Sequence, residues 1–164
     1  MLALSLIIIG VISRFIFHVP NFSPVIAIAL FSGVYLNKKY AIILPLVLMA
    51  LTDVFLGVYS SIFFTWASIA AIAFIGIQTK KNKSFKGVAF GSLLSAVLFF
   101  VVTNVGVWLT SGMYSLDFSG FMNCFYLAMP FFRYTLVSTI VYSFVLFGSY
   151  ELISARLILK PAMK

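Results

Sequence analysis

The chain has 164 residues, 63% of them hydrophobic and 9% charged, with a mean hydropathy of +1.18. Soluble domains carry about 25% charged residues, so this composition excludes a water-soluble fold and leaves no room for a soluble catalytic domain. The net charge of +8 does not make a nucleic-acid face either, because the Lys and Arg side chains stand at the ends of apolar runs, where they set membrane orientation.

Spans of roughly 20 residues with short loops fit about six times into a chain of this size. The prediction is therefore an all-α, single-domain bundle of six transmembrane helices.

The first span covers about residues 1–17. Its opening run, MLALSLIIIGVIS, has the apolar character of a signal peptide. No basic region precedes it and no small-x-small cleavage pattern occurs before Arg14, so it reads as a membrane helix. Pro20 breaks it. Asn21 and Ser23 offer capping oxygens, and Pro24 suits the first turn of a second, rather short span over about 22–36. Lys38 and Lys39 end that span, and a third runs over about 40–57. After a tight turn at Tyr59, Ser60 and Ser61, a fourth covers about 62–78. The most polar stretch, TKKNKSFK, separates it from a fifth span over about 87–110. The segment rich in Ser, Gly and Asp that follows reads as a loop. Next, the apolar stretch ending at Met129 is too short to cross a bilayer, so a short interfacial or re-entrant helix stopped by Pro130 is expected. The sixth span covers about 131–155.

Lys38, Lys39, Lys80, Lys81, Lys83, Lys86, Arg156, Lys160 and Lys164 fall on one side of this arrangement, and only Arg14 and Arg133 on the other. The positive-inside rule then puts both termini in the cytoplasm. Helix packing should rest on small residues that let backbones approach, since lipid supplies no hydrophobic drive for pairing. Ala29 and Gly33, Ala67 and Ala71, and Gly87, Gly91 and Ser95 have the spacing for it. On the sixth span Thr135, Ser138, Thr139, Tyr142 and Ser143 share a face suited to hydrogen bonds with a neighbouring helix.

In this topology Arg14, Asp53, Asn104, Trp108 and Arg133 reach a similar depth in the outer half of the bundle from four helices, and Asn104 and Trp108 share a face. Charge in hydrocarbon costs at least a few kcal/mol unless paired or hydrated. Two readings follow. In the first, these residues line an outward-facing pocket where Asp53 balances one arginine and the other attracts an anionic solute against Trp108. In the second, Asp53 and an arginine lock helices together, and the remaining arginine snorkels to surface phosphates. His18 and Asn21 sit at the rim, Asp117 caps the short outer helix, Glu151 neutralises Arg156, and Cys124 is a buried small side chain.

No phosphate-cradling Gly-rich loop and no Cys/His metal constellation is present, and the chain has a single His. Ser23, His18 and Asp53 lack a nucleophile-elbow context. No enzyme activity, cofactor or metal is expected.

Four stretches, NFSPVIAIALFSG (21–33), PLVLMALTDVFLG (45–57), TNVGVWLTSGMY (103–114) and AMPFFRYTLVSTIVYSFVLFG (128–148), resemble a family of bacterial six-helix membrane proteins. That family is associated with the substrate-binding S components of energy-coupling-factor (ECF) vitamin transporters. The resemblance implies a bacterial inner-membrane protein that captures a vitamin-like solute near its outer face and takes energy from coupling and ATPase subunits. S components often carry an Ala-x-x-x-Ala motif in the first helix for gripping the coupling protein. The first span here lacks it, and Ala67 and Ala71 carry the spacing in the fourth. The alternative is a structural or assembly subunit of a larger membrane complex.

Overall fold

The computed structural model describes residues 5, 8, 9, 12, 21–81 and 84–159. Ser5, Ile8, Ile9 and Ile12 are helical and exposed, a spacing that puts them on one helical face. The rest of the first expected span, with Arg14 and His18, lies outside the described residues.

Five further helices follow: α1 (Val25–Tyr35), α2 (Lys38–Leu56), α3 (Ile62–Thr79), α4 (Phe85–Thr110) and α5 (Phe118–Leu159). Local chemistry explains their ends. Pro24 leads into α1, where its carbonyl accepts from the Ile28 N–H at 2.8 Å. Extended Asn37 separates α1 from α2. Gly57, at φ +102°, ends α2 in a conformation closed to most side chains. Ser84 caps α4 by accepting from the Gly87 N–H at 3.2 Å. Asp117 caps α5 through its Oδ1, which accepts from the Gly120 N–H at 2.7 Å.

One expectation is corrected. No separate interfacial helix precedes the last span: α5 runs unbroken for 42 residues with Pro130 inside it. Proline removes one backbone hydrogen bond, but neighbouring helices can offset that loss in an apolar setting. Here the α4 ring of Phe100 packs against Phe125 and Phe132, on either side of Pro130, at centroid distances of 5.6 and 4.6 Å.

Helix α1 is the axis of the bundle. Among the described elements it packs against α2, α3, α4 and α5, and its residues from Ile26 to Val34 are all buried. A helix apolar on every side belongs in such a position. At about 1.5 Å per residue its 11 residues rise roughly 16 Å, well short of a bilayer core of about 30 Å. Three of the outer helices, α3, α4 and α5, are long and apolar enough to cross a membrane.

The distribution of polarity matches a lipid solvent. Phe55, Phe63, Phe90 and Tyr126 point outward and are largely exposed, whereas Ser32, Ser68, Ser92, Ser95, Thr139 and Ser143 are fully buried. Water would select the reverse, so the protein is a membrane protein.

The backbones of α1 and α3 meet where Gly33 faces Ala73 and Gly76: a Cβ on Gly33 would stand 2.2 Å from the Ala73 carbonyl oxygen. Gly33 is thus a close-approach residue, whereas Ala67 on α3 is exposed. Helices α4 and α5 form a long antiparallel pair, marked by Phe85 on Phe144 at one end and Trp108 on Phe121 at the other. Helix α5 runs parallel to α1, with Phe22 against Tyr142, Phe31 against Phe147 and Tyr35 against Tyr150. Tyr35 also donates a hydrogen bond to Glu151, the acid that the sequence pairs with Arg156.

Candidate functional site

A cavity of about 590 Å³ opens among α1, α2, α4, α5 and the turn between α2 and α3. The N-terminal approach to α1 supplies Asn21, Phe22 and Ser23, and α2 supplies Met49. Tyr59, Ser61 and Thr65 enter from the turn and the first part of α3. Phe99, Phe100, Thr103, Asn104 and Val107 come from α4, and Ala128, Phe131, Phe132, Thr135 and Ser138 from α5. Among the described residues of this lining none is charged.

Most of its hydroxyl protons are already placed. Thr103 Oγ1 donates to the Phe99 carbonyl at 2.7 Å, Thr135 to that of Phe131 at 3.3 Å and Ser138 to that of Thr135 at 3.0 Å. Asn104 Nδ2 donates to the Phe100 carbonyl at 2.7 Å. On the polar face expected to bind a neighbouring helix, Thr139 likewise donates to Thr135 within α5. Ser138, 3.4 Å from the Asn21 carbonyl, reaches the segment that leads into α1. Back-bonding of this kind satisfies a hydroxyl in an apolar setting without a partner helix.

Of the five residues singled out in the sequence, Asn104 lines the cavity. Asp53, 2% exposed, accepts from Trp66 Nε1 at 2.9 Å and so ties α2 to α3 outside the lining. Trp108, in the last turn of α4, is tied to the loop that follows: its indole N–H donates to the Ser115 carbonyl at 3.0 Å, and its ring stands edge-on to Phe121. Arg133 is exposed on α5, 4.9 Å from the centre of the Tyr134 ring, in a shallow groove shared with Phe22 and Val137. Arg14 lies outside the described residues. The structure therefore joins Asn104 to the cavity and disperses Asp53, Trp108 and Arg133.

The sequence reading missed Trp66 and the phenylalanine walls. Trp66 carried a usable signal, an indole N–H needing an acceptor one span after a buried carboxylate. The phenylalanines carried none, since the chain holds 19 of them.

In the loop between α4 and α5, Asp117 also accepts from the Ser115 hydroxyl at 2.9 Å. The Gly120 N–H, followed by that hydroxyl, holds its carboxyl below the ordinary aspartate value. Cys124 is buried, with its sulfur 3.5 Å from the Asn104 carbonyl. Among the described residues no three His, Cys, Asp or Glu side chains converge on a metal-sized site.

No curated protein and no solved structure is significantly similar to this chain. Over residues 1–163 it matches, and it therefore belongs to, DUF6580, a family of unknown function.

Proposed function

We propose that the protein captures a small solute from outside the cell and presents it for transport, in the manner of an ECF S component. The observation that carries this reading is the cavity. Its volume of about 590 Å³ falls within the roughly 300–1,000 Å³ of small-molecule sites, and apolar walls with a few placed polar groups are what such sites share. The finer picture belongs to the same proposal: six spans, bacterial inner membrane, both termini cytoplasmic, and energy from coupling and ATPase subunits. The sequence stretches resembling S components and the asymmetry of Lys and Arg support it.

The test is a thermal-shift screen on protein purified in mild detergent, across vitamins, nucleobases and small organic acids. A ligand at 100 times its Kd stabilises by about 2.7 kcal/mol, enough to raise the melting temperature measurably. A shift that Asn104→Leu and Thr103→Val reduce is the expected result. A flat response across the screen refutes capture.

One observation favours a second reading, a structural or assembly subunit. The buried Asp53 serves as a tie between α2 and α3 rather than as part of the cavity. Under that reading, affinity purification from the native membrane yields a stoichiometric membrane partner and no compound shifts the melting temperature.

A further inference from the structure

The cavity's chemistry selects among solutes, and this step rests on the capture reading above. A hydroxyl has one proton and two lone pairs. Thr103, Thr135 and Ser138 each spend the proton on a carbonyl of their own helix, so toward the cavity their oxygens act as acceptors. Asn104 adds to this. Only its Nδ2 can bond the Phe100 carbonyl, which commits one of its two amide hydrogens and leaves Oδ1 as an acceptor.

The apolar walls point the same way. Phe100 and Phe132 sit 4.6 Å apart between ring centroids, tilted by 40°, and both line the cavity. Ring faces carry negative charge density, so they attract flat rings and N–H groups and repel anions. Beside Thr103, Thr135, Ser138 and the Phe100 and Phe132 rings, an anion would meet lone pairs and π faces, and among the described lining residues no cation. Burying a charge without a partner is costly.

We infer that the site takes a flat, uncharged ring compound bearing N–H or O–H donors and discriminates against carboxylates. This differs from the anionic preference that the sequence suggested, since Arg133, one of the two arginines offered for it, lies in a separate groove on α5.

Three probes of one size separate the terms: 2-naphthamide, which donates; 2-acetonaphthone, which only accepts; and 2-naphthoate, which is anionic. Binding is read by calorimetry and thermal shift on the purified full chain. The expected order is amide, then ketone, then carboxylate, with the amide at least tenfold tighter than the carboxylate. Thr103→Val narrows the gap between amide and ketone, and Thr103→Ser restores it. Naphthoate binding as tightly as naphthamide overturns the inference while leaving capture standing. So does a set of three silent probes when other solutes in the wider screen bind. Silence of the probes and of the wider screen removes the capture reading and this inference with it.

Discussion

Replacing Gly33 by alanine tests the central packing claim. The added methyl would lie 2.2 Å from the Ala73 carbonyl oxygen and 2.6 Å from the Gly76 Cα, both backbone atoms. Carbon atoms sit comfortably at about 3.5–4.0 Å, so α1 and α3 must separate by more than about 1 Å, and no rotamer change can relieve the clash. Helix α1 has no free side to retreat into, because Leu30, Phe31 and Val34 are fully buried against its neighbours. Overpacking of well-packed cores costs roughly 1–3 kcal/mol, and a backbone-on-backbone contact belongs at the upper end. The better helix propensity of alanine returns up to about 1 kcal/mol, leaving a net loss of about 2 kcal/mol. Gly148 is the control: a Cβ there meets nothing within 4 Å, so Gly148→Ala should stabilise by up to about 1 kcal/mol. Both are measured by unfolding in detergent, titrated with dodecyl sulfate and followed by circular dichroism. Wild-type stability in Gly33→Ala, or an equal loss in Gly148→Ala, refutes close contact between α1 and α3.

Asp53→Leu should destabilise by roughly 1.5–3 kcal/mol, the range for a hydrogen bond to a charged group. A double-mutant cycle with Trp66→Phe should show non-additivity, and additive losses would dissociate the pair. Asp117 should make the start of α5 sensitive to acid. Its folded carboxyl titrates below the ordinary value of 3.8, so its contribution is complete above that value and disappears as pH falls through the lower folded value. The protection factor of the Gly120 amide, its exchange divided into the intrinsic rate at each pH, should therefore fall in acid in the wild type and show no such step in Asp117→Asn. Orientation is open to labelling in a Cys124→Ala background. A cysteine replacing Lys81 should react with an impermeant maleimide only from the cytoplasmic side, and one replacing Met113 only from outside; the opposite pattern inverts the topology.

Much of the class and segmentation was legible in the residues. Mean hydropathy and the clustering of lysines mark a membrane chain, because lipid and water sort side chains by transfer free energy whatever the fold. Helix ends at Pro24, Gly57 and Asp117 follow from local backbone chemistry acting over a few residues. The burial of Cys124 was legible in the same way.

Pro130 shows where local reasoning stops. Its ring forbids one hydrogen bond, which as a local signal ends a helix, yet packing of Phe100 against rings on both sides carries α5 through it. The site went the same way. Asp53 was identified as a costly buried charge, but its donor is Trp66 on the next helix. Gly33 was identified as a contact residue, but its counterparts Ala73 and Gly76 on α3 were not.

A helix apolar on every side, as α1 is, carries no stripe to say which neighbour each face meets. Burial cost depends on residue type and can be read one position at a time. The choice of partner depends on how the five helices α1 to α5 satisfy backbone approach and side-chain volume together, and that pairing is what assembled Thr103, Asn104, Thr135 and the phenylalanines around one cavity.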